Sequence, residues 1–404
     1  MSAIEPERHE RADVVVIGGG PAGSATATRL ARRGVEVVQM ERRIFNAPEN
    51  DRLRSGEGAL PATLKEVERL GISVQPGDGV LGRARRVRTR WPNGKVTEDR
   101  FPAGRSIYML DRESFDAALW EGARRAGADT RCGWNVERLL RQDNAVVGVA
   151  ARSPEGESVA FRAPLVIDAG GRNAPSVNHA SLREAELADD FMVVVLFFDQ
   201  TPGLEADRWE MHFFDRRHPA VVQGAQLGHG VVRWGLGTSL HLKQGSGLTP
   251  EAFFWTRLRA YPELEARLRA GRMIRPAYAR ARLGYRTRRV AQAGLLLVGD
   301  AAGYFNPILG DGILMALRSA ELAGEVAADA LAHADVSAQR LAAYDRRWKG
   351  ARRLRLGLGH LLIAAHRRPA LAGTLGYIPS LRRLLLHALL HVPSDRTRLG
   401  RARA

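Results

Sequence analysis

The stretch DVVVIGGGPAGSATATRLARRGVEVVQME, residues 13–41, constrains this chain more than any other part of it. Val14 to Ile17 is a continuous apolar run with three valines, which predicts a parallel strand buried on both faces. Gly18, Gly20 and Gly23 follow in G-x-G-x-x-G spacing, and Ser24 to Arg33 carries Ala25, Ala27, Leu30 and Ala31 at helical intervals. Gly34 ends that helix, Val35 to Met40 reads as a second strand, and Glu41 stands at its end. The whole is one βαβ unit. Gly18 suits a tight turn, Gly20 the approach of backbone to a pyrophosphate, and Gly23 close packing of helix on strand. The helix N-terminus adds unpaired N–H groups and a partial positive charge. Glu41 falls where a carboxylate accepts hydrogen bonds from a ribose, roughly 20 residues beyond the first glycine.

A chain of 404 residues can form one large or two medium domains with a sizeable core. Residues 1–12 are polar and charged, so no signal peptide is read, and no apolar run nears the ~20 residues of a membrane span. A cytoplasmic protein is the expectation. Cys132 is the only cysteine, which excludes an internal disulfide, an iron–sulfur cluster and a Cys-rich zinc site, and it reads as a structural thiol. His387 and His391 lie one helical turn apart without a third ligand, so no metal is expected. The net charge of +17 rests on arginine, since Lys65, Lys95, Lys243 and Lys349 are the only lysines. No basic run is interleaved with aromatics, so nucleic acid is not a partner. The excess charge favours a polyphosphate cofactor together with a small-molecule substrate that is anionic or tethered to a carrier protein.

Residues 42–60 read as a polar loop, in which Arg54-Ser55-Gly56 returns toward the first motif, and a helix follows over Ala62 to Leu70. Residues 81–101 predict a hairpin turning at Pro92-Asn93-Gly94. Asp111 or Ser114 starts a helix that Gly127 stops. Strands at Val146–Ala151 and Val159–Phe161 lead to PLVID, residues 164–168, followed by Gly170 and Gly171, a second place for backbone to approach a ligand. Residues 175–285 change character: Phe191 to Phe198 is a long apolar strand, Trp209 to Phe214 and Val231 to Leu236 alternate, and one helix is read near Pro250 to Leu268. Trp209, Phe213, Phe214 and Trp234 are the aromatics available to line a pocket there. Glu57, His212, His218 and His229 read as solvated surface residues. GLLLVG, residues 294–299, resumes a buried strand with Asp300 at its carboxyl end, and Pro307, Gly310 and Gly312 precede a helix over Ile313 to Leu331. An acid on the strand end accepts bonds from sugar-like hydroxyls, and the glycine-bearing helix start offers N–H groups to an electron-rich ring edge.

The G-x-G-x-x-G unit with Glu41, the D-R-x-x-F-D stretch at Asp111 to Asp116, and G-D followed by P-x-x-G-x-G occur in the order that resembles a large FAD-dependent family. That family contains the single-component aromatic hydroxylases, the geranylgeranyl reductases and the flavin-dependent halogenases. The resemblance covers most of the chain and is weakest at 175–285. It implies a fold of α/β (α+β) class: a Rossmann-like FAD-binding domain (1–80, 105–174 and 286–345), an inserted β-rich substrate domain (81–104 and 175–285) and a C-terminal helical segment (346–404). It also implies that Gly18, Gly20 and Gly23 hold the pyrophosphate, Glu41 the adenosine ribose, and Arg54 and Arg112 the phosphates and adenosine; Ala22 and Arg42 complete that set. Gly299 and Asp300 would meet the ribityl chain, and Pro307, Gly310 and Gly312 the isoalloxazine.

Two departures narrow the chemistry. The hydroxylases carry an acid before the glycine of the middle motif, touching flavin and reduced nicotinamide, where this chain has Gly170. Electrons therefore come from NAD(P)H or from a separate flavin reductase. The halogenases need a lysine after the first-loop helix, but Leu81 to Arg90 offers only arginines, Lys95 sits in an N-G-K turn, and W-x-W-x-I-P is missing. RSGEGALPATL does resemble the halogenases. The leading expectation is monooxygenation, hydroxylating or epoxidising an apolar or aromatic substrate of secondary-metabolite type. The alternatives are reduction of an isoprenoid double bond, then halogenation, and outside catalysis a flavin-binding redox sensor. Acid–base residues are not assigned. The tail from Leu354 reads as amphipathic helices broken at Pro369 and Pro379, packing on the FAD domain in preference to a membrane surface or carrier protein.

Overall fold

The computed structural model describes residues 8–45, 57–74, 79–102, 105–178, 191–214, 220–228, 230–280, 289–304 and 310–366, with isolated positions between them and residues 378–380 and 382 beyond. Val14–Ile17 is the strand around which the first unit is built. It pairs in parallel with Val37–Glu41 on one side and Leu165–Asp168 on the other. Asp129–Cys132 and Leu295–Leu297 extend this parallel sheet, and antiparallel Ala291–Gln292 closes one edge. The chain first adds a strand on one side of Val14–Ile17 and later returns to the other, so the order reverses there. Such a switch point opens a crevice at the carboxyl ends of the strands.

Val14, Val15 and Val16 are fully buried, as an apolar run in a covered parallel sheet must be. Helices Pro21–Ala31 and Gly312–Ala332 and a four-stranded sheet (Arg8–Arg11, Asn135–Gln142, Ala145–Arg152, Ser158–Arg162) share one apolar core with it. Helix Arg112–Arg125 starts as predicted, because Asp111 caps it by accepting from Glu113 N. Helix Pro61–Arg69 takes the place read for Ala62 to Leu70.

The second unit is a seven-stranded sheet ordered Met273–Arg280, Phe191–Phe198, Val232–Ser239, Ala220–Gln226, Arg208–Phe214, Arg86–Arg90, Val96–Arg100. The last two strands are the hairpin read from Pro92-Asn93-Gly94, which joins the sheet by parallel pairing with Arg208–Phe214. On the outer face Met192, Val194, Leu196, Phe198, Trp234 and Leu236 pack against Phe253, Phe254, Leu258, Leu264 and Leu268. On the inner face Val195, Phe197, Trp209 and Ala225 pack against Leu60, Met109 and Leu314 of the first unit. Phe191–Phe198 is apolar throughout because both of its faces are covered. A short sheet of Glu57–Ala59, Ile107–Leu110 and Val80–Ala84 connects the units.

Several elements differ from the sequence reading. The single helix read over Pro250 to Leu268 is two, Pro250–Leu258 and Pro262–Arg269, because Pro262 has no N–H to continue the first and instead opens the second. Strands Asn135–Gln142 and Met273–Arg280, which alternate poorly, escaped the pattern. Helix Ala338–His366 passes unbroken through residue 346, with Leu341, Tyr344 and Trp348 buried in the first unit and Tyr344 Oη donating to Leu297 O at 2.7 Å. Further on, Arg382 reaches Asp99 of the hairpin at 3.0 Å. Among the described residues no helix is long and apolar enough to cross a membrane.

Candidate cofactor and substrate site

The three glycine-bearing stretches converge at the carboxyl ends of adjacent strands. Ile17 pairs with Asp168, and Asp168 with Leu297. Gly18 has φ +99° and a Cβ there would lie 2.6 Å from Ala169 O; a Cβ on Gly23 would lie 2.0 Å from Gly18 O. Both positions exclude any side chain. A Cβ on Gly20 would meet nothing within 4 Å, so this backbone borders open space. The first bond inside the helix is Ser24 N to Gly20 O at 3.0 Å. The N–H groups of Ala22 and Gly23 precede it and face the same end.

The third stretch packs directly on the first, since a Cβ on Gly299 would lie 2.8 Å from Ala22 Cβ. Gly310 and Gly312, like Gly20, border open space, and Gly312 opens the long helix as read. Two helix N-termini and three glycine-bearing backbone segments thus meet at one end of the parallel sheet. Asp300 is exposed at the strand end, and desolvation by its surroundings raises its carboxyl, opposed by Arg112. A cofactor with a pyrophosphate and a polyhydroxyl chain fits a sheet end so furnished. Arg54 and Pro307 lie outside the described residues.

The carboxylates at the other strand ends are engaged within the protein. Glu41 accepts from Gly19 N at 2.7 Å and from Arg43 N at 2.9 Å. Arg42 is exposed, whereas Arg43, which the sequence did not single out, pairs with Glu41 at 3.2 Å and approaches Glu113 and Asp116 at 3.7 and 3.6 Å. Asp168, after the second apolar strand, accepts from Gly170 N and Ser176 N at 2.9 Å each and from Ser176 Oγ. It fastens its own loop. Asp311 takes Tyr304 Oη at 3.0 Å and Arg355 Nε, tying the start of the long helix to helix Ala338–His366.

Glu57 is not a solvated surface residue. It bridges Arg112 Nη1 at 2.7 Å and Arg280 Nη1 at 2.8 Å, and so links the two units. Burial opposes its ionisation, but Arg280 and then Arg112 outweigh that and hold the carboxyl at about 2. Arg112 also pairs with Asp116 at 3.0 Å, so in D-R-x-x-F-D the first acid caps, the arginine bridges and Phe115 fills the core. His212 is likewise buried, on the outer face beside Glu210, which also meets Arg208 at 3.1 Å and Arg267 at 3.0 Å. Burial lowers the His212 pKa, and Glu210 is held at about 2, burial being outweighed by His212 and Arg267. Trp234 is fully buried in the outer-face core, so it lines no pocket. Trp209 lies on the inner face, where a Cβ on Gly58 would meet it at 2.6 Å, and Phe213 stacks on Trp91 with centroids 5.9 Å apart. The Phe214 side chain, His218, His229, His387 and His391 lie outside the described residues. Among those described, no group of three His, Cys, Asp or Glu side chains is placed to hold a metal. No sequence signal marked Arg43 or Asp311; for Glu210 the charged pair Arg208 and Glu210 within strand Arg208–Phe214 was the one hint available.

The site defines a class: a nucleotide-cofactor protein with an α/β unit whose crevice faces the sheet of a β-rich second unit. Residues 11–352 match the family model described as FAD binding domain, and the chain belongs to that family. It is 31% identical to digeranylgeranylglycerophospholipid reductase of Methanothrix thermoacetophila, over 84% of this chain and 83% of that one. It is 27% identical to the 1H-pyrrole-2-carbonyl-[peptidyl-carrier protein] chlorinase of Pseudomonas fluorescens, over 82% and 79%. The solved flavin-dependent brominase Bmp2 shares the fold with a TM-score of 0.77 at 20% identity, over 94% of this chain and 93% of that one. The chain is accordingly a member of a family of FAD-dependent oxidoreductases.

Proposed function

We propose that this chain reduces carbon–carbon double bonds in an apolar, isoprenoid-type substrate held between the FAD cleft and the inner face of the seven-stranded sheet. The observation that carries the reading is the chemistry of that face. Val193, Val195, Phe197, Met211 and Tyr278 form an apolar wall continuous with Leu314, two residues beyond Gly312. It holds no lysine: Lys95 is exposed at the hairpin, Lys65 is exposed on its helix, Lys243 lies on helix Leu240–Gln244, and Lys349 pairs with Asp345. Transfer of a halogen through a lysine therefore finds no support, whereas reduction needs only an oriented apolar substrate beside the cofactor. The reductase relative, the more similar of the two curated proteins described above, supports the same reading.

FAD in the groove would supply the hydride, and the protein binds, orients and excludes water. Gly18, Gly20, Ala22 and Gly23 would hold the pyrophosphate, Glu41 and Arg42 the adenosine side, Gly299 and Asp300 the ribityl chain, and Gly310 and Gly312 the ring. The Glu57 bridge ties helix Arg112–Arg125 to strand Met273–Arg280 and would so hold the sheet in place beside a bound cofactor. Electrons would come from NAD(P)H or from a separate flavin reductase, the latter favoured by an Asp168 turned into its own loop. Oxygenation, first among the expectations from sequence, is the second reading, favoured by the same water-excluding wall. Anaerobic incubation of the chemically reduced protein with a C20 polyprenyl lipid tests the first: the product should gain two hydrogens per double bond. Unchanged lipid without oxygen, together with label from ¹⁸O₂ when it is admitted, would replace it with the second.

A further inference from the structure

The middle of the inner face lacks side chains. In strand Val232–Ser239 the residues pointing outward are Val232, Trp234 and Leu236, so Arg233, Gly235 and Gly237 point inward. Across the sheet Arg233 stands between Phe197 and Ala225, Gly235 between Val195 and Gln223, and Gly237 between Val193 and Val221. Two successive inward positions of the central strand are glycines, flanked by Val193, Val195, Val221 and Gln223, which makes a shallow trough. An apolar chain fits it.

One charge enters this trough. A Cβ on Gly235 would lie 3.3 Å from both Nη1 and Nη2 of Arg233, so the guanidinium is folded along the trough floor. Its Nε is buried and has no hydrogen-bond partner. The nearest anion whose field it enters, Glu57, already spends its two oxygens on Arg112 and Arg280. On the outer face Arg208 and Arg267 reach Glu210 through their Nη groups, whereas Arg233 has no carboxylate within ion-pair distance among the described residues. Arg233 is half-buried with its Nε enclosed, and an oxyanion gives that Nε and an Nη partners in bidentate geometry.

We infer that Arg233 anchors an oxyanion, phosphate or carboxylate, at one end of an elongated apolar substrate lying in the Gly235–Gly237 trough. This rests on the proposed function for the trough as substrate site, but it is tested by binding alone. The full-length FAD-loaded protein is titrated with geranylgeranyl phosphate, geranylgeranoic acid and geranylgeraniol, following the flavin absorbance difference spectrum. At least one of the two anions should bind about 10-fold or more tightly than the alcohol, and which of them does so identifies the oxyanion. Arg233→Gln should remove that preference at unchanged FAD content, and Arg233→Lys should retain part of it. Equal binding of all three ligands, no binding of either anion, or a preference that survives in Arg233→Gln would overturn the inference. A preference for the anion without any saturated product would leave the inference standing and remove double-bond reduction; saturated product without the preference would do the reverse.

Discussion

The cofactor unit and the substrate sheet use their polar groups in opposite ways. In the first, the proposed site falls to backbone at Gly18, Gly20, Gly310 and Gly312, while Glu41, Asp168 and Asp311 are engaged in holding loops. In the second, the outer face gathers Arg208, Arg267 and His212 around Glu210, and the inner face carries Arg233 with no carboxylate in ion-pair reach among the described residues. A site made of backbone demands particular residues at fixed spacing and can be read along the chain. A site made of side chains on one face of a sheet depends on register, which joins residues far apart in sequence.

The sharpest way to break this contrast is Gly23→Val. With a Cβ placed 2.0 Å from a backbone oxygen, the first turn cannot keep its path, and we expect loss of FAD together with more than about 4 kcal/mol of stability. Absorbance of the purified protein at the flavin band measures the first and urea unfolding the second. Retained flavin would contradict the assignment of that turn. Trp234→Ala should cost about 3–5 kcal/mol by emptying the outer-face core, yet leave FAD content unchanged, because the two cores are separate.

Those two substitutions also mark what was legible. Val14 to Ile17, the glycine spacing, Glu41, the Asp111 cap and the Gly312 helix start were readable, because each depends on neighbours within a few residues or on one βαβ unit. The Glu57 bridge to Arg280 spans 223 residues, and nothing local marks it. Trp234 and Trp209 looked alike as aromatics in alternating strands; only the pairing of Trp234 opposite Leu196 and Gly224 sends it to the outer face. Nothing along the chain tells Arg42 from Arg43, and only the turn after the strand makes Arg43 the one that pairs with Glu41.

The closed outer-face network gives a pH signature of intermediate size. The Glu210 carboxyl falls from 4.5 to about 2 on folding, so its ionised form is favoured in the native state. Its contribution is complete above pH 4.5 and disappears as the pH falls through that range toward 2. Glu210→Gln should therefore cost about 3 kcal/mol at neutral pH and progressively less below pH 4.5, as followed by chemical unfolding at several pH values. A cost independent of pH would show that the ion network is not what Glu210 provides. Smallest of all, Lys95→Ala should leave stability within about 0.5 kcal/mol and turnover unaltered, since this side chain is exposed at the hairpin and away from the inner face. A halide-dependent product that vanished in this variant would put halogenation ahead of both other readings.

The central claim is that reduced flavin delivers hydride to an apolar substrate seated on the inner face. Its most direct test is stopped-flow absorbance of the anaerobically reduced protein mixed with a C20 polyprenyl phosphate in the complete absence of oxygen. Our account predicts that the flavin is reoxidised, with one saturated double bond formed per flavin. If the flavin stays reduced until oxygen is admitted, and oxygen then appears in the product, the account is contradicted.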